Sequence, residues 1–96
     1  MKNPNNCDTS KLRKEIKQAL RACEYVYSQH RMEFELYHTY DGKHKEGSLH
    51  FKNRAFDGGL PSVQPEQVFA ELRALVGVEY DVVAEIDHLH VEWDPK

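Results

Sequence analysis

Six histidines occur in 96 residues, and four of them, His44, His50, His88 and His90, lie in two short segments. In the second segment, His88-Leu89-His90-Val91-Glu92-Trp93, an extended backbone points successive side chains to opposite faces. His88, His90 and Glu92 then share one face, while Leu89, Val91 and Trp93 share the other and supply a core contact. The first segment carries Ser48, His50 and Asp57, with six residues between the histidine and the aspartate. Neutral imidazole and carboxylate are ligands of catalytic zinc, which typically takes three protein side chains and leaves a fourth position to water. There is no Cys-x-x-Cys, so a thiolate zinc site is excluded and any metal must be held by histidine and carboxylate. One histidine-rich strand alone reads more readily as a structural, solvated outer sheet face than as a metal site. Two such segments in one short chain favour a metal site.

Several elements must position these residues. Residues 1–9 read as a loose leader ahead of a single domain over 10–96, with Asp8, Thr9 or Ser10 able to cap a following helix. Leu12, Ile16, Leu20, Cys23, Val26 and Tyr27 recur at spacings of three and four, which predicts a core-facing helix over 10–29. Residues 32–40 alternate, with Met32, Phe34, Leu36, His38 and Tyr40 on one face, as in a strand. A polar loop follows at 41–47, then a short extended segment closed by Gly58-Gly59. Pro65 suits the first turn of a second helix with Val68, Phe69, Leu72, Leu75 and Val76 on its buried face, ended by Gly77. The remainder reads as strands over 78–85 and 88–93 around a turn at Ile86-Asp87. This order predicts an α+β fold: two helices on a small, mostly antiparallel sheet, with the zinc site on the sheet face.

Composition narrows the function classes. Hydrophobic residues make up 40%, charged residues 30%, and the formal net charge is −3. Basic residues are interleaved with acidic ones, which argues against a nucleic-acid surface. No apolar run reaches membrane-spanning length, so no membrane insertion is expected, and the N-terminal residues lack the apolar segment of a signal peptide. A cytoplasmic origin is therefore expected, and Cys7 and Cys23 read as two free thiols rather than one disulfide.

Ser48-Leu49-His50-Phe51-Lys52-Asn53-Arg54-Ala55-Phe56-Asp57 resembles the S-x-H-x-x-G-x-A-x-D signature of one zinc peptidase family. That family contains D-alanyl-D-alanine carboxypeptidases and phage L-alanyl-D-glutamate endopeptidases. It belongs to a wider group with lysostaphin-type peptidases and the hedgehog signalling domain. Asp87-x-x-His90 is similar to the acid-x-x-His ending of that group, and His88-x-His90 to its H-x-H form. The resemblance covers residues 34–96. It implies one zinc ion per chain, held by His50, Asp57 and His90, with His88 beside the metal-bound water. It also implies a general base just upstream of His90, either Asp87 or Glu85. The spacing of three before His90 matches the family at Asp87, whereas strand periodicity turns Asp87 away from His88 and His90. Asn53 replaces the family glycine, and asparagine accepts positive φ better than other non-glycine residues.

His44 takes a further role from the same resemblance, and Arg54, Ser48 and Glu92 take theirs from residue type and position. His44 lines the cleft and binds substrate, or is a solvent-exposed loop residue. Arg54 binds a substrate carboxylate, or faces outward. Ser48 hydrogen-bonds behind the ligands, and Glu92 holds a ligand imidazole in its correct tautomer. His30 and His38 have no partner in the pattern and read as structural. The implied function is zinc-dependent cleavage of peptidoglycan peptides containing D-amino acids, in a protein of phage or prophage type delivered to the cell wall by a holin or tail machine. The alternative is a non-catalytic binding module stabilised by zinc.

Overall fold

The computed structural model describes residues 1–39 and 53–95. Two helices, α1 (Lys14–Gln29) and α2 (Pro65–Val76), accompany four strands, β1 (Leu36–Thr39), β2 (Ala55–Gly58), β3 (Tyr80–Ala84) and β4 (Leu89–Trp93). The strands form one antiparallel sheet in the order β1-β2-β4-β3. The α+β architecture and the order of elements match the sequence expectation. No helix among the described residues is long and apolar enough to cross a membrane.

The apolar stripe of the first helix is buried as its spacing requires, from Leu12 and Ile16 to Val26 and Tyr27. Its start differs from expectation. Asp8 accepts hydrogen bonds from the Ser10 backbone and hydroxyl at 2.9 and 2.6 Å, closing a local turn, and the helix begins at Lys14 without a side-chain cap. Asp8, a candidate cap by residue type, thus closes its own turn with Ser10 instead, as short polar residues tend to do. Residues 1–9, read from sequence as a loose leader, are tied to the sheet edge. Lys2 donates to Phe34 and accepts from Leu36 through the backbone, and Asn5 donates to the Tyr37 carbonyl.

Pro65 opens α2, and Gly77, at φ +91°, closes it with a backbone bond to Arg73. Val68 and Leu72 are fully buried, and Phe69 and Val76 partly so, but Leu75 is 54% exposed. The buried face is therefore narrower than the spacing suggested, because only one side of α2 meets α1 and the sheet. Arg73 ties α2 to β3, its guanidinium donating to the Val82 carbonyl at 2.9 and 3.3 Å.

Beneath β2, Tyr27, Phe34 and Phe56 stack edge to face, with centroids 5.0 and 6.0 Å apart. The Tyr27 hydroxyl donates to the Gly59 carbonyl at 2.6 Å. Helix α1 thereby fixes the end of the strand that carries Asp57. The core face of the sheet holds Leu36, Phe56, Val82, Leu89 and Val91, all buried.

Strand β1 departs from the alternation read in the sequence. Leu36 pairs with Gly58 and His38 with Asp57, so Tyr37 is an extra residue in a β-bulge. In a regular strand Leu36 and His38 would share a face. The bulge instead leaves Leu36 in the core and puts His38 on the opposite face, beside Asp57.

Candidate functional site

The face opposite the core gathers the ionisable residues. Asp57 on β2 pairs directly with His90 on β4, and Ala55 with Glu92. Cross-strand partners project to the same side, so Asp57, His90 and Glu92 lie on one face, with His38 at the β1 edge of that row. Among the described residues Asp57 is the one polar or charged residue that is buried, its side chain only 8% exposed. A buried carboxylate needs partners to offset its lost hydration. His90 provides one: its Nδ1 donates to Asp57 Oδ1 at 2.8 Å. On the other side of the ring, Nε2 donates to Glu92 Oε1 at 2.6 Å.

An imidazole that donates from both nitrogens is an imidazolium. Burial works against that charge, but the hydrogen bonds and negative charges of Asp57 and Glu92 outweigh it and raise the His90 pKa from 6.5 to about 8. The folded-state value lies above the unfolded one, so the stabilisation is fully present below about pH 6.5 and lost as pH rises through about 8. In chelator-treated protein, urea unfolding should therefore show up to about 2 kcal/mol less stability from this group at pH 9 than at pH 6. His90→Gln should flatten that dependence, and an unchanged slope in the variant would assign it elsewhere.

His88 and Asp87 stand at the end of β4, where the β3–β4 hairpin closes. Asp87 Oδ1 accepts from His88 Nδ1 at 2.7 Å, and His88 Nε2 lies 3.9 Å from Asp57 Oδ1. The Glu85 amide donates to the His88 carbonyl at 2.9 Å, so these two residues face each other across the closing pair of the turn. Both acids considered from sequence thus lie next to His88, Asp87 through its side chain and Glu85 through the backbone ladder. Tyr37, His38, Asp57, Asp87 and His88 line a cleft of about 400 Å³.

Of the three ligands expected from sequence, the structure brings two together, Asp57 and His90. His50 lies outside the described residues, as do His44 and Ser48. Glu92 is bonded to the far nitrogen of His90, the contact that an orienting role would use. Asn53 adopts φ +59°, the left-handed conformation that a glycine at this place would take without strain. Arg54 is not brought to the cleft. Its guanidinium lies 5.2 Å from the Trp93 ring centroid, a cation–π contact away from Asp57. Nor is either thiol: both cysteines are free, and burial pushes the Cys23 thiol well above its ordinary pKa.

Sequence reasoning missed two features. One is the place of His38, which depends on the bulge. The other is a group of three carboxylates, Asp81, Glu92 and Asp94, each offering one oxygen within 4.8 Å of the others. This group could hold a metal ion, and its all-oxygen donor set suits a hard cation such as calcium or magnesium better than zinc. Glu92 on β4 and Asp94 just beyond it are two residues apart in the sequence, but their meeting with Asp81 requires the β3–β4 register, which pairs Asp81 with Glu92. No protein-family model matches the sequence, and no curated protein matches it.

Proposed function

We propose that the chain is a zinc-dependent peptidase acting on peptidoglycan peptides, with the ion held by Asp57, His90 and His50. The observation that supports this reading most directly is the Asp57–His90 pair at 2.8 Å, backed by Glu92 on the second ring nitrogen. A carboxylate and an imidazole converge on one point, and a further carboxylate fixes the ring so that Nδ1 points there. That is the donor chemistry and the outer support that zinc sites use.

Zinc, when bound, polarises a peptide carbonyl and supplies a nucleophilic water near neutral pH. The chain's own residues set the rest. Asp57 and His90 are placed by the two central strands, so their positions move little when a ligand binds. Asp87, in the cleft and exposed to solvent, takes a proton at its carboxylate and returns it to the departing amine. His88, held by Asp87 through Nδ1, keeps Nε2 turned toward Asp57, where the doubly protonated ring would donate to a developing oxyanion. The substrate class, peptides containing D-amino acids, rests on the sequence resemblance.

Incubation of the zinc-loaded protein with purified muropeptides tests the reading, with products followed by mass spectrometry. The parent is expected to release a cleaved stem peptide. Asp87→Ala is expected to slow this by roughly 10²–10⁴-fold, the range for loss of a general acid–base, while Glu85→Ala changes it little. The reverse ranking would assign the base to Glu85. No cleavage by the zinc-loaded parent across a broad panel would make the chain a zinc-stabilised binding module instead.

A further inference from the structure

The function read from the sequence leaves the β1 wall of the cleft unassigned. Strand β2 carries Asp57 at the floor. On the β4 side the wall is built by His88 and Asp87, and on the β1 side by Tyr37 and His38. The bulge is what puts His38 there: with regular alternation after Leu36, its ring would enter the core. Tyr37 is held in turn by close packing. A Cβ at Gly59 would meet the Tyr37 hydroxyl at 3.1 Å, so the small residue leaves room for the ring.

His38 is not placed as a metal ligand with Asp57 and His90. Among the described residues, the group of three whose ligand atoms lie within 4.8 Å of one another is Asp81, Glu92 and Asp94, not this one. An imidazole on the wall of a cleft, across from His88 and one strand from the buried carboxylate, is placed to meet what enters the cleft. We infer that His38 is a substrate-contacting residue, its ring donating a hydrogen bond to a carbonyl or carboxylate oxygen of the bound peptide from the wall opposite His88. This inference rests on the zinc peptidase reading above.

Acetohydroxamate, a small zinc-directed probe with a carbonyl oxygen, tests it without requiring turnover. Parent, His38→Ala and His38→Gln proteins are loaded with zinc, assayed for metal content, and titrated with the probe by calorimetry. The histidine ring signals of the parent are followed by NMR during the same titration. The expected result is one zinc per chain in all three proteins, a shift of the His38 ring signals on addition of probe, and binding weakened about tenfold or more in both variants, as loss of one such hydrogen bond implies. The exposed position of His38 makes both variants compatible with folding, which circular dichroism checks. Zinc-loaded parent that binds the probe with His38 unmoved, or does not bind it, overturns this inference and leaves the zinc reading standing. Loss of zinc in the variants also overturns it, by making His38 a ligand. A parent that takes up no zinc overturns both.

Discussion

Asp57→Ala is expected to abolish stoichiometric zinc binding, measured as metal content after dialysis. Changing an outer-shell partner of a zinc ligand typically costs 10–100-fold in affinity, and removing a ligand from a three-residue set should cost more than that. Its side chain is buried on a central strand, between His90 on β4 and His38 on β1, with Ala55 along β2 and His88 Nε2 3.9 Å away. The variant also leaves His90 Nδ1 without its acceptor, which in the metal-free protein should lower stability by about 1–3 kcal/mol. Asp57→Asn separates the two effects, since its amide oxygen can still accept from His90 but carries no charge for the ion. Retention of one zinc per chain in both variants would remove Asp57 from the ligand set and, with it, the reading of this face as a zinc site.

The second large effect concerns the support under the site. Gly58 pairs with Leu36 and Leu89 on the core face of β2, where a Cβ would come within 2.8 Å of Phe34 Cε1 and 2.7 Å of the Glu35 carbonyl oxygen. Neither can yield easily. Phe34 is clamped between the rings of Tyr27 and Phe56, and Glu35 is bonded through its carbonyl to the Gly59 amide. Gly58→Ala should therefore destabilise the fold by about 3 kcal/mol, at the upper end of overpacking costs. For a chain of this length that corresponds to a fall in Tm of more than about 10 °C. An unchanged Tm would mean that the aromatic trio repacks freely, contrary to its close edge-to-face geometry. Because Gly58 adjoins Asp57, partial loss of zinc affinity in the folded variant is the accompanying expectation.

These two neighbouring residues also show what the sequence made legible. The helices and β4 were readable because their burial repeats regularly: Ile16 to Tyr27 along α1, and Leu89 and Val91 against His90 and Glu92 along β4. The ends of elements were less so. Asp8 and Ser10 are cap-forming residues by type, yet they bond to each other, a choice that depends on local geometry rather than composition. Leu75 has the right spacing for burial and the wrong neighbours. The site was legible only where it ran along one strand. His88, His90 and Glu92 could be placed on one face by alternation, whereas the Asp57–His90 contact joins residues 33 positions apart and needs the β2–β4 register. Arg54 and Trp93 meet by the same non-local route, which takes Arg54 away from the role assigned to it. His38 was hidden for a further reason: residues 32–40 alternate so regularly that nothing in them marks the extra residue.

In terms of descent, that extra residue is a single codon. Adding one amino acid inside a strand ordinarily reverses every side chain beyond it, and few sheets survive the exchange of core for surface. At Tyr37 the bulge absorbs the addition, so Leu36 and His38 keep the partners they would have in a shorter, regular strand. The tyrosine can therefore be gained or lost by one insertion or deletion without rethreading the sheet, and the shape of one cleft wall can vary while Asp57 and His90 stay where they are.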